Sequence, residues 1–184
     1  QWMNPGSHGS TFGGNPLGSA IAKRSLELLE EEGLIENSRV MGDYFKESLL
    51  ALNSPIIKEI RGKGLWLGVE IDQNYISGKD LSKLLLKKGI LCKETRDTTI
   101  RFAPPLIINK DEIDWGVEII GSAFKDIEES FRGLAAANKA LGGDTNKLNG
   151  ILLAATQVFA KGKVSAEELR GQIGERLPGA LAKF

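Results

Sequence analysis

The chain has 184 residues, with 41% hydrophobic and 26% charged side chains and 24 basic residues against 24 acidic ones. These values suit one ordinary globular domain or two small ones, so they exclude a disordered chain and a fibrous repeat. A formal charge of zero without a basic stripe argues against a nucleic-acid partner. No apolar run reaches the roughly 20 residues that a bilayer span requires, so we expect no membrane partner.

Cysteine and histidine are too few to build a disulfide or a metal site. Cys92 is the single cysteine and His8 the single histidine, which excludes an internal disulfide and a zinc site of nitrogen and sulfur ligands. We expect no bound metal and a cytoplasmic location. His8 is interpreted as a hydrogen-bonded structural residue, and Cys92 as a small hydrophobic core residue rather than a nucleophile.

Two helices are predicted in the first third of the chain. Residues 5–15 favour turns, after which Asn15 is a good N-cap and Pro16 a good first helical residue. Helical spacing of apolar side chains then continues to Gly33, whose freedom at positive φ suits a C-cap. A second helix is predicted over residues 35–52.

The hydrophobic period then changes to that of strands. Residues 56–61 and residues 65–71 are predicted to pair antiparallel around a turn at residues 62–64, because side chains alternate in character along the second segment. A short helix is predicted over residues 79–88 and ends at Gly89.

Two more strands and a long helix complete this part of the chain. The strands are predicted over residues 90–94 and 98–102. Asn109 and Glu112 have the spacing of a capping box, ahead of a helix that reaches about Ser130. Together the elements predict an α+β fold, in which helices pack on one face of a small, mainly antiparallel sheet.

The composition changes near Arg132, where we place a domain boundary. Residues 133–150 are rich in alanine, glycine and asparagine and contain few large apolar side chains. Ser165 and Glu168 have the spacing of a second capping box. The pattern predicts an all-helical tail over residues 132–184.

Three segments, in order along the chain, carry a family resemblance. They read PGSHGSTFGGNPL at residues 5–17, RGKGLWLGVEI at residues 61–71 and TIRFAPPL at residues 99–106. These motifs resemble those of the class III pyridoxal-phosphate aminotransferases of fold type I. Within that class they look most like the ornithine aminotransferases, with the acetylornithine aminotransferases as the near alternative. The resemblance covers residues 1–131.

The resemblance implies a domain organisation and a cofactor. Residues 1–16 would end the large-domain cofactor loop, and residues 17–131 would form the carboxy-terminal small domain of such a transferase. The implied cofactor is pyridoxal 5'-phosphate. In the family this loop reaches the phosphate of the cofactor held by the other subunit, so a homodimer is implied. Ser10 and Thr11 are the predicted phosphate binders.

The residue types of this loop agree with that role but leave an alternative. A phosphate has several strong acceptors, which backbone amides in a glycine-rich turn and small hydroxyls satisfy. The alternative is that Gly13, Gly14 and the hydroxyls of Ser10 and Thr11 merely build a tight turn, the commoner case for a glycine-rich loop considered alone. The complete motif favours phosphate binding.

Arg101 is the predicted substrate-binding residue. A planar guanidinium binds a carboxylate with two hydrogen bonds, and a transaminase must orient the α-carboxylate of its amino acid over the cofactor. In the family the arginine of this motif has that role. The alternative is an arginine at a strand end paired with a nearby acid, and the residues 102–105 that follow favour the functional interpretation. Trp66 and Trp115 are assigned to packing.

The implied reaction is ping-pong transfer of the δ-amino group of ornithine to 2-oxoglutarate, so the small-molecule partners would be an amino acid and a 2-oxo acid. In the family, the lysine that forms the Schiff base and the aspartate beside the pyridine nitrogen lie upstream of the position of Gln1. We therefore assign no catalytic residue. We expect the chain to be a fragment that is inactive by itself.

The tail carries a second resemblance. The segment GKVSAEELRGQIGERLPGALAKF at residues 162–184, and more broadly residues 133–184, looks like part of a phage tail tape-measure protein. That resemblance implies a structural role with other phage tail proteins as partners. The alternatives are an ordinary amphipathic helical extension and a non-functional fusion of two unrelated segments.

Overall fold

A computed structural model describes residue 6 and residues 9–140 of the chain. His8 and the predicted tail beyond residue 140 lie outside the described residues. The helices are α1 Pro16–Glu31, α2 Leu34–Ala51, α3 Gly78–Lys87 and α4 Lys110–Ala140. The strands are β1 Ile57–Lys63, β2 Trp66–Ile71, β3 Lys93–Thr95 and β4 Thr99–Phe102.

The four strands of this part of the chain form one sheet in the order β1-β2-β4-β3. Each neighbouring pair is antiparallel. Arg96 and Asp97 have φ angles of 55° and 59°, in the left-handed region that tight hairpin turns use to return a strand beside its neighbour. The predicted hairpin around these two residues is therefore confirmed.

The core lies between the sheet and three helices. Leu67, Val69, Ile71 and Ile100 point from the sheet into one cluster of buried side chains. The helices contribute Phe45 and Leu49 from α2, Leu81 and Leu85 from α3, and Ile113, Ile120 and Phe124 from α4. Fully burying one such side chain stabilises a fold by about 1.5 to 3 kcal/mol. The predicted α+β fold, with helices on one face of a small antiparallel sheet, is confirmed.

The turn between β1 and β2 begins two residues later than the sequence indicates. Residue pairing continues through Gly62 and Lys63, so β1 extends into the predicted turn and the chain reverses at Gly64 and Leu65. Gly64 has a φ of 54°, and a side chain on Gly42 of α2 would come within 2.1 Å of the Gly64 carbonyl carbon. The close approach of helix and turn therefore requires both glycines.

Helix α1 begins as predicted but is not packed as its apolar spacing indicates. Asn15 accepts a hydrogen bond from the Gly18 amide at 2.8 Å and precedes Pro16, as the N-cap prediction requires. None of the residues of α1 is buried. Leu17, Ile21 and Leu26 are exposed to 71%, 58% and 67%.

Helix α4 begins with the predicted capping box and ends later than predicted. The Glu112 amide donates to Asn109 Oδ1 at 2.9 Å, and the Asn109 amide donates to Glu112 Oε2 at 3.0 Å. The helix passes Ser130 and Arg132 and continues to Ala140. The extension is rich in alanine, the residue with the strongest helical preference. The domain boundary near Arg132 stays a prediction.

None of the helices in the described part of the chain combines the length and the apolar character needed to cross a membrane.

Candidate functional site

The side of the sheet that faces away from α2 and α4 is called the open face below. Strand alternation directs Leu67 and Val69 of β2 into the core and leaves Gly68 on the other side. The register then sets Arg61, Gly68, Arg101 and Lys93 side by side across the four strands. The open face consists of Glu59, Arg61, Lys63, Trp66, Gly68, Glu70, Lys93, Thr95, Thr99 and Arg101.

Arg101 lies exposed on this face with an unpaired guanidinium. Among the described residues it has neither a hydrogen-bond nor an ion-pair partner. Its cross-strand neighbours are Gly68, which has no side chain, and Lys93, which has the same charge. Like charges directly opposite each other in a sheet repel, so an anion bound here would be stabilised. The alternative that Arg101 pairs with a nearby acid is not observed in the described part of the chain.

The acids on the open face pair with Arg61 instead. Arg61 Nη1 lies 2.7 Å from Glu70 Oε2 and 3.1 Å from Glu59 Oε2. Its Nη2 donates to the Thr99 hydroxyl at 3.2 Å. The hydrogen bond to Glu70 is the main cause that raises the pKa of Arg61 above its ordinary value. Arg61 is therefore a fully engaged cation beside the unengaged Arg101.

A shallow cavity of about 400 Å³ opens over this part of the sheet. Three cationic side chains line it, those of Arg61, Lys63 and Arg101, and no carboxylate belongs to its lining. The remaining lining residues are Gly62, Trp66, Gly68, Thr95 and Thr99. Such a lining suits an anionic ligand of small size.

The two tryptophans assigned to packing are both largely at the surface. Trp66 is exposed to 65% and lies at the edge of the cavity, and Trp115 is exposed to 55%. The packing interpretation was wrong for both residues, because their strand and helix positions turn them away from the core cluster.

Ser10 and Thr11 lie in the exposed loop before α1. Within the described residues, neither hydroxyl has a hydrogen-bond partner. The Ser10 carbonyl accepts from the Gly13 amide at 3.3 Å, and Gly14 has a φ of 77°, so the loop is also a tight turn. The two adjacent hydroxyls are therefore free to donate to the oxygens of a phosphate.

The two predicted binding groups do not form one site within the described part of the chain. No hydrogen bond or ion pair there joins Ser10 or Thr11 to Arg101. The roles assigned to these three residues remain predictions. Sequence reasoning missed Arg61, Lys63 and Gly68 as members of the open face, although the alternation of Glu59, Arg61 and Lys63 along one strand was a usable signal.

Cys92 has the surroundings expected of a core residue. It is half-buried against the core cluster, and its Sγ lies 3.5 Å from the Ser82 hydroxyl. Burial raises the pKa of the Cys92 thiol. A raised pKa lowers the thiolate fraction at neutral pH, which argues against a nucleophilic role.

A second cavity of about 350 Å³ lies at the edge of the core, next to α4. Its lining is mostly apolar and includes Phe102, Pro105 and Trp115. The one carboxylate in the lining is that of Glu112, which the capping box already engages. This cavity offers no acid, base or nucleophile for chemistry.

The comparison with protein families agrees with the fold and with the motifs. The family described as aminotransferase class-III matches residues 1–124. This match spans more than half of the chain, so the chain belongs to the class-III aminotransferase family.

Curated relatives are ornithine aminotransferases. The chain is 54% identical to that of Bacillus subtilis over 118 residues, which cover 64% of this chain and 29% of the relative. It is 53% identical to that of Brevibacillus brevis over a stretch of the same length. The chain thus spans less than a third of the length of these relatives.

Solved structures show the same relationship. An ornithine aminotransferase from Toxoplasma gondii, with partial occupancy of PLP at its active site, matches with a TM-score of 0.62 and 41% identity over 69% of this chain and 31% of that one. The acetylornithine aminotransferase of Elizabethkingia anophelis matches with a TM-score of 0.60 and 35% identity over 67% of this chain and 33% of that one. The family model ends at residue 124, so the phage-tail likeness of residues 133–184 stays a prediction.

Proposed function

We propose that this chain supplies the small domain and the phosphate loop of a pyridoxal-phosphate-dependent ornithine aminotransferase, with 2-oxoglutarate as amino acceptor. The main supporting observation is the unpaired guanidinium of Arg101, which lines a cavity with two other cationic side chains, in a chain of the class-III aminotransferase family. The names of the relatives support ornithine as the donor, and acetylornithine is the near alternative.

Arg101 binds the α-carboxylate of the amino acid with two parallel hydrogen bonds and so fixes the orientation of the substrate. The neighbouring Lys93 adds positive potential at the same place. Within the described residues, Arg101 has no carboxylate partner that the substrate would have to displace.

Ser10 and Thr11 fit the cofactor phosphate, since both hydroxyls are exposed and without a partner in the described residues. When bound, pyridoxal 5'-phosphate supplies the carbonyl that accepts the amino group and the electron-withdrawing ring that eases proton removal. In this proposal the loop serves the cofactor of a second subunit, so the active enzyme is a homodimer; its location in the cytoplasm is a separate part of the proposal. No lysine described in this chain is assigned to the Schiff base.

For residues 133–184 we propose no function. Neither the family match nor the described structure supports a tape-measure role or a phage-tail partner for them.

The test is a chimaera in which residues 1–131 replace the corresponding carboxy-terminal segment of the Bacillus subtilis ornithine aminotransferase. We expect ornithine-dependent transamination of 2-oxoglutarate. Arg101→Ala should lower kcat/KM about 100-fold, because truncating one partner of a hydrogen-bonded charge pair costs about 2 to 5 kcal/mol.

Arg39→Gln is the matched control, since it removes an exposed arginine of α2 that pairs with Glu36 away from the sheet. A folded, dimeric chimaera in which Arg101→Ala is as active as Arg39→Gln would contradict the assignment of the carboxylate site. A chimaera that transfers an amino group to 2-oxoglutarate from acetylornithine but not from ornithine would show that acetylornithine is the amino donor.

A further inference from the structure

Glu70 lies on the central strand between two arginines and pairs with only one of them. Across β1 and β2, Arg61 is opposite Gly68, and across β2 and β4, Arg101 is opposite the same glycine. Glu70 is two residues further along β2, on the same face as Gly68. It is thus a diagonal neighbour of Arg61 on one side and of Arg101 on the other.

Diagonal neighbours in a sheet are about 7 to 8 Å apart at the backbone, which long side chains can bridge. Glu70 already bridges one such diagonal, because its Oε2 lies 2.7 Å from Arg61 Nη1. Glu70 and Arg101 are diagonal neighbours in the same way, because Arg101 is paired with Gly68, two residues before Glu70. Glu70 therefore has two candidate cationic partners, and the structure pairs it with Arg61.

Two contacts favour Arg61 over Arg101 as the partner of Glu70. Arg61 also pairs with Glu59 and donates to the Thr99 hydroxyl. These two contacts hold its guanidinium next to the Glu70 carboxylate. Arg101 has Lys93 beside it instead. These contacts orient Arg61 toward the acids, and they leave Arg101 to face the cavity.

Gly68 provides the room for this arrangement. To reach Thr99 on β4, the Arg61 side chain has to pass over the intervening strand β2. A Cβ built on Gly68 would lie 3.9 Å from Arg61 Cγ and 3.3 Å from Thr99 Cγ2. A large side chain at this position would therefore displace Arg61 from its path.

We propose that Arg61 is a positioning residue that retains Glu70 and thereby keeps Arg101 available for a substrate carboxylate. The inference rests on the proposed carboxylate-binding role of Arg101. Without Arg61, Glu70 turns to Arg101 and competes with the substrate as an internal carboxylate. Arg61 itself does not contact the substrate in this account.

The test uses the full chain and succinate as the carboxylate probe, with the Arg101 Nε–Hε resonance as the NMR readout at constant ionic strength. We expect Arg61→Gln to weaken succinate binding about threefold to fivefold, the range that an exposed competing ion pair supports. Glu70→Gln in the Arg61→Gln background should restore binding to within about twofold of the original chain.

A merely structural role for Arg61 does not produce this rescue, because the double variant has fewer contacts than the single one. Arg39→Gln is the control for loss of an exposed arginine and should leave succinate binding unchanged. Arg61→Gln binding equal to that of the original chain, or a double variant as weak as the single one, would overturn the inference.

A second readout needs no ligand. In the Arg61→Gln chain, the Arg101 Nε–Hε resonance should move when Glu70→Gln is added, whereas in the original chain Glu70→Gln should leave it in place. Lack of this coupling overturns the inference and leaves the proposed function intact if succinate still binds. Lack of any saturable succinate effect on Arg101 in the original chain contradicts the role of Arg101 and, with it, the inference.

Discussion

Two arginines of the sheet make different interactions, because different residues lie opposite them on the neighbouring strands. Arg61 has two acids and a hydroxyl within hydrogen-bond distance, whereas Arg101 faces a glycine and a lysine. Except for Glu59, which lies two residues before Arg61 on the same strand, these neighbours follow from the register. The chemistry available to each guanidinium is thus decided between strands.

The reactivity of the Cys92 thiol depends on the surroundings of this single residue. Burial raises the pKa of its thiol, while the hydrogen bond between Cys92 and Ser82 lowers that pKa by a smaller amount. Because the thiolate is the reacting form, alkylation by iodoacetamide should be slower in the native chain than in the urea-unfolded chain at pH 7.5, and its pH profile should lie at higher pH.

The measurement is the rate of alkylation against pH, followed by mass spectrometry. Ser82→Ala should move the native profile further upward, because it removes the interaction that lowers the pKa of Cys92. A native profile that coincides with the unfolded one would show that the thiol is not shielded from water.

At the scale of the elements, helices and strands could be predicted where the hydrophobic period was regular. The capping residues Asn15, Asn109 and Glu112 make the bonds that their spacing indicates. The end of α4 was missed because a change in composition near Arg132 does not stop a helix when alanine follows. The pairing of Arg61 could not be predicted, since it requires the register of three strands.

The β1–β2 hairpin carries a prediction about backbone geometry. Gly62 has a φ of 150°, and a Cβ there would lie 2.1 Å from the Trp66 carbonyl oxygen. Gly62→Ala should therefore lower the free energy of unfolding by about 3 kcal/mol, through strain and a backbone clash. Urea unfolding monitored by circular dichroism measures the change.

Gly116→Ala is the matched control within α4. A Cβ at Gly116 would make only an ordinary contact, at 3.9 Å from Ile90 Cδ1. Alanine is also the better helix former, so this variant should unfold at the same or a slightly higher urea concentration. Equal unfolding midpoints for the two variants would refute the close approach at Gly62.

At the scale of the whole molecule, all the core residues of the described part of the chain come before the predicted tail. The buried hydrophobic residues of the described part run from Phe45 to Ile127. The curated relatives are more than three times as long as the segment that this chain matches. The fold could thus be predicted from this chain, whereas the candidate site could be predicted only in part, because the residues opposite Arg101 depend on the register of the strands.

A truncation tests the predicted division of the chain. A protein that ends at Ala140 retains every core residue described and all of α4. It should unfold cooperatively, with a free energy of unfolding within about 0.5 kcal/mol of the full chain. Loss of the cooperative transition would show that residues 141–184 belong to the same folding unit and would contradict a boundary near Arg132.

Helix α1 has a further consequence for how the loop before it works. Leu17, Ile21 and Leu26 are exposed in the described structure, so a protein surface that covered them would steady the helix. Under the proposed function, the hydroxyls of Ser10 and Thr11 lie at its amino end, and their affinity for a phosphate is then thermodynamically linked to that association. Dilution alone should then weaken cofactor retention, without any change in the residues that touch the cofactor.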